Sequence, residues 1–173
     1  MRTKRRGTAG TTWHADGTYS TVNGRWWYRY RAIDRAGDLV DARLRPTRDL
    51  DAARRVFAQA LDRVGAAPAP VTTDGHDADP RALRATLDDA VSHRTSRYNN
   101  NGIEQDQRGV RHRSYPMRGC GSFAAAARCC AGFAEQRQYF RPRTRRDERV
   151  TVAEQRLRFQ ARWAALLTEL AAV

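Results

Sequence analysis

Polar and apolar positions alternate early in the chain and switch later to helical spacing, and that change marks the elements. Thr11 to Val22 is rich in β-branched and aromatic residues and reads as a strand. Asn23-Gly24 follows, a pair suited to the positive φ angles of a two-residue hairpin turn. Arg25 to Ile33 returns as a second strand carrying Trp27, Tyr28 and Tyr30. Asp34 to Gly37 is another turn, and Leu39 to Leu44 is a third strand closed by Pro46. Strands linked in this way form an antiparallel meander. From Arg48 to Val64 the pattern becomes helical: Leu50, Ala53, Val56, Phe57, Ala60, Leu61 and Val64 make one apolar stripe. Thr47 is its predicted cap and Gly65 its stop.

The second half alternates short strands with helices. Val71-Thr72-Thr73 suits a buried strand that ends at Asp74-Gly75-His76. A helix from about Pro80 to Val91 buries Leu83, Leu87 and Val91, and Arg94 to Tyr98 is a short fifth strand. Asn100 or Asn101 caps the next helix, which breaks before Pro116. Ser122 caps a long Ala-rich helix, Phe123 to Phe140, and Arg141 to Arg146 is a basic linker. Thr151-Val152-Ala153-Glu154 is a capping box that opens a last helix, with Leu157, Trp163, Leu166, Leu167 and Leu170 available for packing. The order predicts an α/β fold: a mixed sheet with flanking helices and a C-terminal helical extension. The expected organisation is a disordered basic arm over 1–10, the α/β domain over 11–140, and a basic linker with its C-terminal helix over 141–173.

Charge adds a partner to this picture. The 173 residues carry a net charge of +13, which favours a polyanion such as nucleic acid. Nearly all of it is arginine, with Lys4 the sole lysine, so a GC-rich coding sequence explains part of the bias. Cys120, Cys129 and Cys130 match no zinc spacing and suit a reduced compartment. No apolar run approaches the roughly 20 residues of a membrane helix.

The candidate chemistry lies in carboxylates. On the helix after Asn100, Glu104, Arg108 and Arg111 fall on one face, with Ile103, Gln107 and Val110 on the neighbouring stripe. Taken alone, that spacing reads as a solvated face with ordinary salt bridges. Asp16 in the first strand and Asp74 at the end of the fourth alter the reading if those strands are neighbours. Three carboxylates from two strands and a crossing helix can hold two divalent ions for an in-line phosphoryl displacement. Hard oxygen donors suit Mg²⁺ or Mn²⁺, and the two arginines suit a phosphodiester strand. Asp34, Asp38 and Asp49 read as turn and cap residues, Asp77 and Asp79 as loop, and Asp106 as solvated. His14 and His76, each two residues from a candidate Asp, flank the site rather than ligate.

Several stretches resemble the DDE transposases of bacterial insertion sequences, family six. They are Trp13-His14-Ala15-Asp16-Gly17-Thr18-Tyr19, Tyr30-Arg31-Ala32-Ile33-Asp34, Thr73-Asp74-Gly75-His76, Asn100-Asn101-Gly102-Ile103-Glu104-Gln105-Asp106, Arg113 to Gly119 and Arg137 to Arg143. The resemblance implies a ribonuclease-H-like catalytic domain that cleaves DNA and transfers strands. It implies Asp16, Asp74 and Glu104 as catalytic and metal-binding residues, two Mg²⁺ or Mn²⁺ ions, and a basic DNA contact at Arg111, to which the shared helix face adds Arg108. It also implies action on element ends and target DNA, as a homo-oligomer in the bacterial cytoplasm, in association with the nucleoid and with no membrane. Arg111 stands where the family usually has lysine, Gly17 where it commonly has Glu, Asn99 where it has Leu and Gly102 where it has Arg. Family members carry a helix-turn-helix ahead of the first catalytic strand, so the chain is expected to be a truncated transposase. The rivals are an inactive DNA-binding or assembly remnant and a nucleoid-type protein that needs no carboxylates.

Overall fold

The computed structural model describes residues 9–87, 91–96, 101–114, 120–141 and 149–171, the side chains at 101, 102, 105, 106, 113 and 114 excepted. The expected arm over 1–10 lies almost wholly outside the described residues. So do Asn100 as a cap and most of the Arg141 to Arg146 linker.

The meander forms as its pattern predicts. β1 (Trp13–Val22), β2 (Arg25–Asp34) and β3 (Leu39–Arg45) pair antiparallel in sequence. Asn23 and Gly24 take φ angles of 48° and 72° at the hairpin, the turn that Asn-Gly favours. β4 (Pro70–Thr73) then lies parallel to the other side of β1, and β5 (Ser92–Thr95) parallel to β4. The five-stranded order is β3-β2-β1-β4-β5, so β1 is central. β5 lies nearer the N-terminus than the expected Arg94 to Tyr98. Its place is set by long-range pairing, from Pro70 opposite Ser92 to Thr73 opposite Thr95, and not by any local apolar pattern.

A central strand must satisfy two faces, and alternation along β1 separates them. Trp13 and Ala15 face a dry core with Ala32, Val40 and Val71. The helices that close it are α1 (Leu50–Val64), through Ala53, Phe57, Ala60 and Val64, and α2 (Ala78–Leu87), through Ala82, Leu83 and Leu87. Trp13 is fully buried there, which contributes roughly 3 kcal/mol. His14, Asp16 and Thr18 point to the opposite face. There α3 (Asn101–Ser114) lays its buried stripe of Ile103, Gln107 and Val110 on β1 and β2.

Asp49, not Thr47, caps α1: its side chain accepts from Ala52 N at 2.8 Å. That amide and the Thr47 hydroxyl hold the Asp49 carboxyl below its ordinary pKa. Gly65 ends the helix at φ 77°, as its position predicts. α2 begins two residues before Pro80, whose missing N–H costs nothing in a first turn.

The chain divides into two compact units, Met1–Gly132 and Phe133–Val173, and α4 (Phe123–Phe140) spans the division. In the second unit the end of α4 is tied to α5 (Val152–Ala171). Phe140 packs on Phe159 and Trp163, and Arg162 donates to the Tyr139 carbonyl at 2.8 Å. The capping box forms: Thr151 N donates to Glu154 Oε2 at 2.8 Å and Glu154 N to Thr151 Oγ1 at 3.3 Å. Leu157, Leu167 and Leu170, expected to pack, are exposed.

Candidate active site

Parallel pairing of β1 with β4 brings two carboxylates together. Trp13 lies opposite Val71 and His14 opposite Thr72, so continuing the register sets Asp16 level with Asp74. Asp74 is near enough for its side chain and its charge to act on Asp16. Two carboxylates so close share a proton more readily than they both ionise. Burial first, and the Asp74 charge second, push the Asp16 pKa up to about 6, against the pull of the Arg48 guanidinium.

The chain turns sharply just past Asp74. Gly75 has φ 91°, and a Cβ there would come within 2.6 Å of Thr95 Cγ2, so both backbone angle and space require glycine. Asp74 accepts at Oδ1 from His76 N at 3.4 Å and at Oδ2 from Arg48 Nη2 at 2.8 Å. His76 Nδ1 in turn accepts from Ala78 N at 3.3 Å, which turns that ring nitrogen toward the start of α2. His14, on the other flank, has its Nδ1 buried with no hydrogen-bond partner among the described residues, and burial lowers its pKa.

α3 brings the third acid to the cleft. Asp16, Gly17, Thr18, Tyr19, Glu104, Gln107, Arg108 and Arg111 line a cleft of about 420 Å³. Glu104, Arg108 and Arg111 are all exposed, as a shared face requires. Gln107 Nε2 donates to Asp16 Oδ2, and Arg111 Nη2 donates to Thr18 Oγ1, so two side chains of α3 hold polar groups of β1. Among the described residues no three acidic, histidine or cysteine side chains converge on one point. Asp16 and Asp74 do meet, and Glu104 shares the cleft with Asp16. Carboxylate oxygens are the donors a hard divalent cation takes, and repulsion between Asp16 and Asp74 would give such a cation something to relieve.

Three participants escape a local reading of the sequence. Gln107 is buried on the Ile103–Val110 stripe, and a polar residue on such a stripe signals a buried partner. Arg48 reaches Asp74 from the connection between β3 and α1. Asp79, expected in a loop, is a buried residue in the first turn of α2. Its pKa is pushed up to about 7, by burial first and then by Asp74. The signal for Asp79 is its spacing, since Asp79, Leu83 and Leu87 fall on one helical stripe. The expectation for Asp106 concerns a side chain outside those described.

A mixed sheet in the order 3-2-1-4-5, flanked by helices, is the ribonuclease-H-like architecture. The bovine immunodeficiency virus integrase catalytic core superposes with a TM-score of 0.55 at 12% identity, over 94% of this chain and 99% of that one. The integrase of the simian T-cell lymphotropic virus intasome gives 0.57 at 16% identity, over 91% of this chain and 56% of its own. At such identities the likeness concerns the fold. Residues 10–142 match the family model of the DDE domain of IS240-type transposases. The chain therefore belongs to the DDE transposase family, in the insertion-sequence family-six branch. It is 36% identical over 105 residues to the Staphylococcus aureus transposase of insertion sequence-like element IS431mec, covering 58% of this chain and 46% of that protein. The IS257 transposase of transposon Tn4003, also from Staphylococcus aureus, matches equally well. The chain thus spans about half the length of the curated relatives it matches.

Proposed function

We propose that the chain is the catalytic domain of an insertion-sequence transposase, with Asp16, Asp74 and Glu104 as its metal-binding carboxylates. The observation that carries this reading is the Asp16–Asp74 pair, placed side by side by β1 and β4 next to a cleft that also holds Glu104. A nonspecific DNA-binding protein has no use for two carboxylates forced together at a cost in repulsion. With Mg²⁺ or Mn²⁺ bound, two ions would activate the attacking oxygen and stabilise the leaving one in an in-line phosphodiester displacement. A solved integrase core of the human T-cell lymphotropic virus type 2 is described in complex with magnesium, with a TM-score of 0.52 to this chain.

The chain's own residues do the positioning. Gln107 holds Asp16 by one carboxylate oxygen. Gly75 sets the direction of Asp74. Arg108 and Arg111 line the same cleft as Glu104 and hold the phosphodiester backbone. Water attacks at an element end and frees a 3′-OH, which then attacks target DNA. The domain acts as a homo-oligomer on DNA, in the bacterial cytoplasm and at the nucleoid. No described helix is long and apolar enough to cross a membrane.

The test is nicking of supercoiled DNA in Mg²⁺ or Mn²⁺ by the wild type, Asp74→Asn and Glu104→Gln. Both variants should lose metal-dependent nicking while keeping their far-UV circular dichroism and their affinity for duplex DNA. Undiminished nicking by either would remove that residue from the site. A wild type that binds DNA without nicking it would favour the inactive remnant.

A further inference from the structure

Arg48 has no counterpart in the reading above. Its Nη2 donates to Asp74 Oδ2 at 2.8 Å, and its side chain is 12% exposed. The rest of the guanidinium is held by packing. Nε is buried with no acceptor among the described residues. A Cβ at Gly17 would lie 3.3 Å from that Nε and 3.5 Å from Cζ, so the group rests directly over the glycine beside Asp16. The same Cβ would lie 3.5 Å from Tyr30 Cε1, which places the Tyr30 ring at the guanidinium's side. The Tyr30 hydroxyl is likewise buried without a partner among the described residues.

A monovalent cation thus lies against Asp74, its charge also acts on Asp16, and few hydrogen bonds among the described residues hold it. Its backbone belongs to the short connection between the end of β3 at Arg45 and the start of α1 at Leu50, outside any regular element. Gly17 puts no side chain over it. These are the properties of a group that can leave. A divalent cation at Asp74 would meet a guanidinium on the same carboxylate, and two cations sharing one carboxylate repel.

We propose that Arg48 is an exchangeable counter-ion, which neutralises the Asp16–Asp74 pair and gives up Asp74 when a divalent cation binds. The proposal rests on the reading of Asp16 and Asp74 as metal ligands. It differs from a plain supporting role in sign. A residue that orients a metal ligand weakens metal binding when removed, typically by about 10–100-fold. A competing counter-ion strengthens it when removed.

The experiment measures Mn²⁺ affinity in the absence of DNA, by calorimetry and by the electron paramagnetic resonance of free Mn²⁺. The proteins are the wild type, Arg48→Gln, Arg48→Lys and Asp74→Asn. Arg48→Gln should bind Mn²⁺ roughly fivefold more tightly than wild type, the scale of a partly exposed ion pair. Arg48→Lys, which keeps the charge, should stay near wild type. In the nitrogen-labelled wild type the Arg48 Nε–H resonance should shift with Mn²⁺'s diamagnetic substitute Mg²⁺, and it should not shift in Asp74→Asn. Affinity unchanged or lowered in a folded Arg48→Gln, with normal binding by wild type, overturns the counter-ion and leaves the metal site standing. No Asp74-dependent Mn²⁺ binding by wild type overturns the site itself, and the proposal with it. Circular dichroism of Arg48→Gln and Arg48→Lys checks that each is folded, and Arg48→Met replaces Arg48→Gln if the latter is not.

Discussion

Asp16 and Glu104 line one cleft but are built in opposite ways. Asp16 stands on the central strand of the sheet, beside Asp74 and hydrogen-bonded to Gln107, with its pKa raised. Glu104 stands exposed in the first turn of α3. The sheet forces its two acids into proximity before any ligand is considered, and that proximity costs stability whenever both are ionised. The helix brings its acid from outside at no such cost. A site divided in this way separates a strained, preformed half from a relaxed half that depends on how α3 sits.

The largest expected effect is on catalysis. Glu104→Gln should reduce metal-dependent nicking by at least the ~10–100-fold that loss of a mere outer partner causes, yet leave metal-free stability unchanged. Asp16→Asn should reduce nicking as severely but stabilise the metal-free fold, by on the order of 1–3 kcal/mol, because it removes one of two opposed charges. Denaturant melts of the two variants without metal are the measurement, and equal stability would erase the distinction drawn between the halves.

Acid pH should sharpen the same contrast. Asp16 and Asp79 have folded pKa values raised to about 6 and about 7. A carboxyl with a raised folded pKa binds its proton more tightly folded than unfolded. The resulting stability is complete below about pH 4 and is lost as pH rises through 6 and 7. The metal-free domain should therefore be more stable at pH 5 than at pH 8, by on the order of a few kcal/mol. Asp79→Asn should flatten that dependence. A profile that rises from pH 5 to pH 8 would mean the acid cluster is not buried as described.

Gly75→Ala should be next in size. The positive φ and the Thr95 methyl both oppose a side chain, so a loss of about 1–3 kcal/mol is expected in a urea melt. Metal affinity should fall with it, since Asp74 precedes the turn. Smallest is Arg111→Ala: affinity for unrelated duplexes should fall alike, and the slope of log affinity against log salt should shrink by about one. Fluorescence anisotropy at several salt concentrations reads this, and an unchanged slope would take Arg111 off the DNA.

How much of this was legible in the sequence follows from the range of each interaction. The Asn23-Gly24 turn, the Gly65 stop and the Thr151–Glu154 box involve neighbours in the chain, and each forms as expected. The choice of Asp49 over Thr47 is a contest between two local caps, and it falls to the residue that cap propensity favours. Gln107 reaching Asp16 across 91 residues, and Arg48 reaching Asp74 across 26, are products of packing. Only the buried side of a helix hints at them. The candidate acids were found through the resemblance and the strand ends they occupy. Asp79 was missed because an acid among turn residues reads as loop until its helical stripe is drawn.

The parallel contact between β1 and β4 has a kinetic consequence. The meander closes through two short hairpins, whereas β2, β3 and α1 separate β4 from β1 along the chain. Loop closure of that length is slow compared with hairpin formation. Contact order therefore predicts that the two acids meet late, beyond the main folding barrier. A cation that bridges them would slow unfolding and leave the refolding rate unchanged, bending one arm of a chevron plot and not the other.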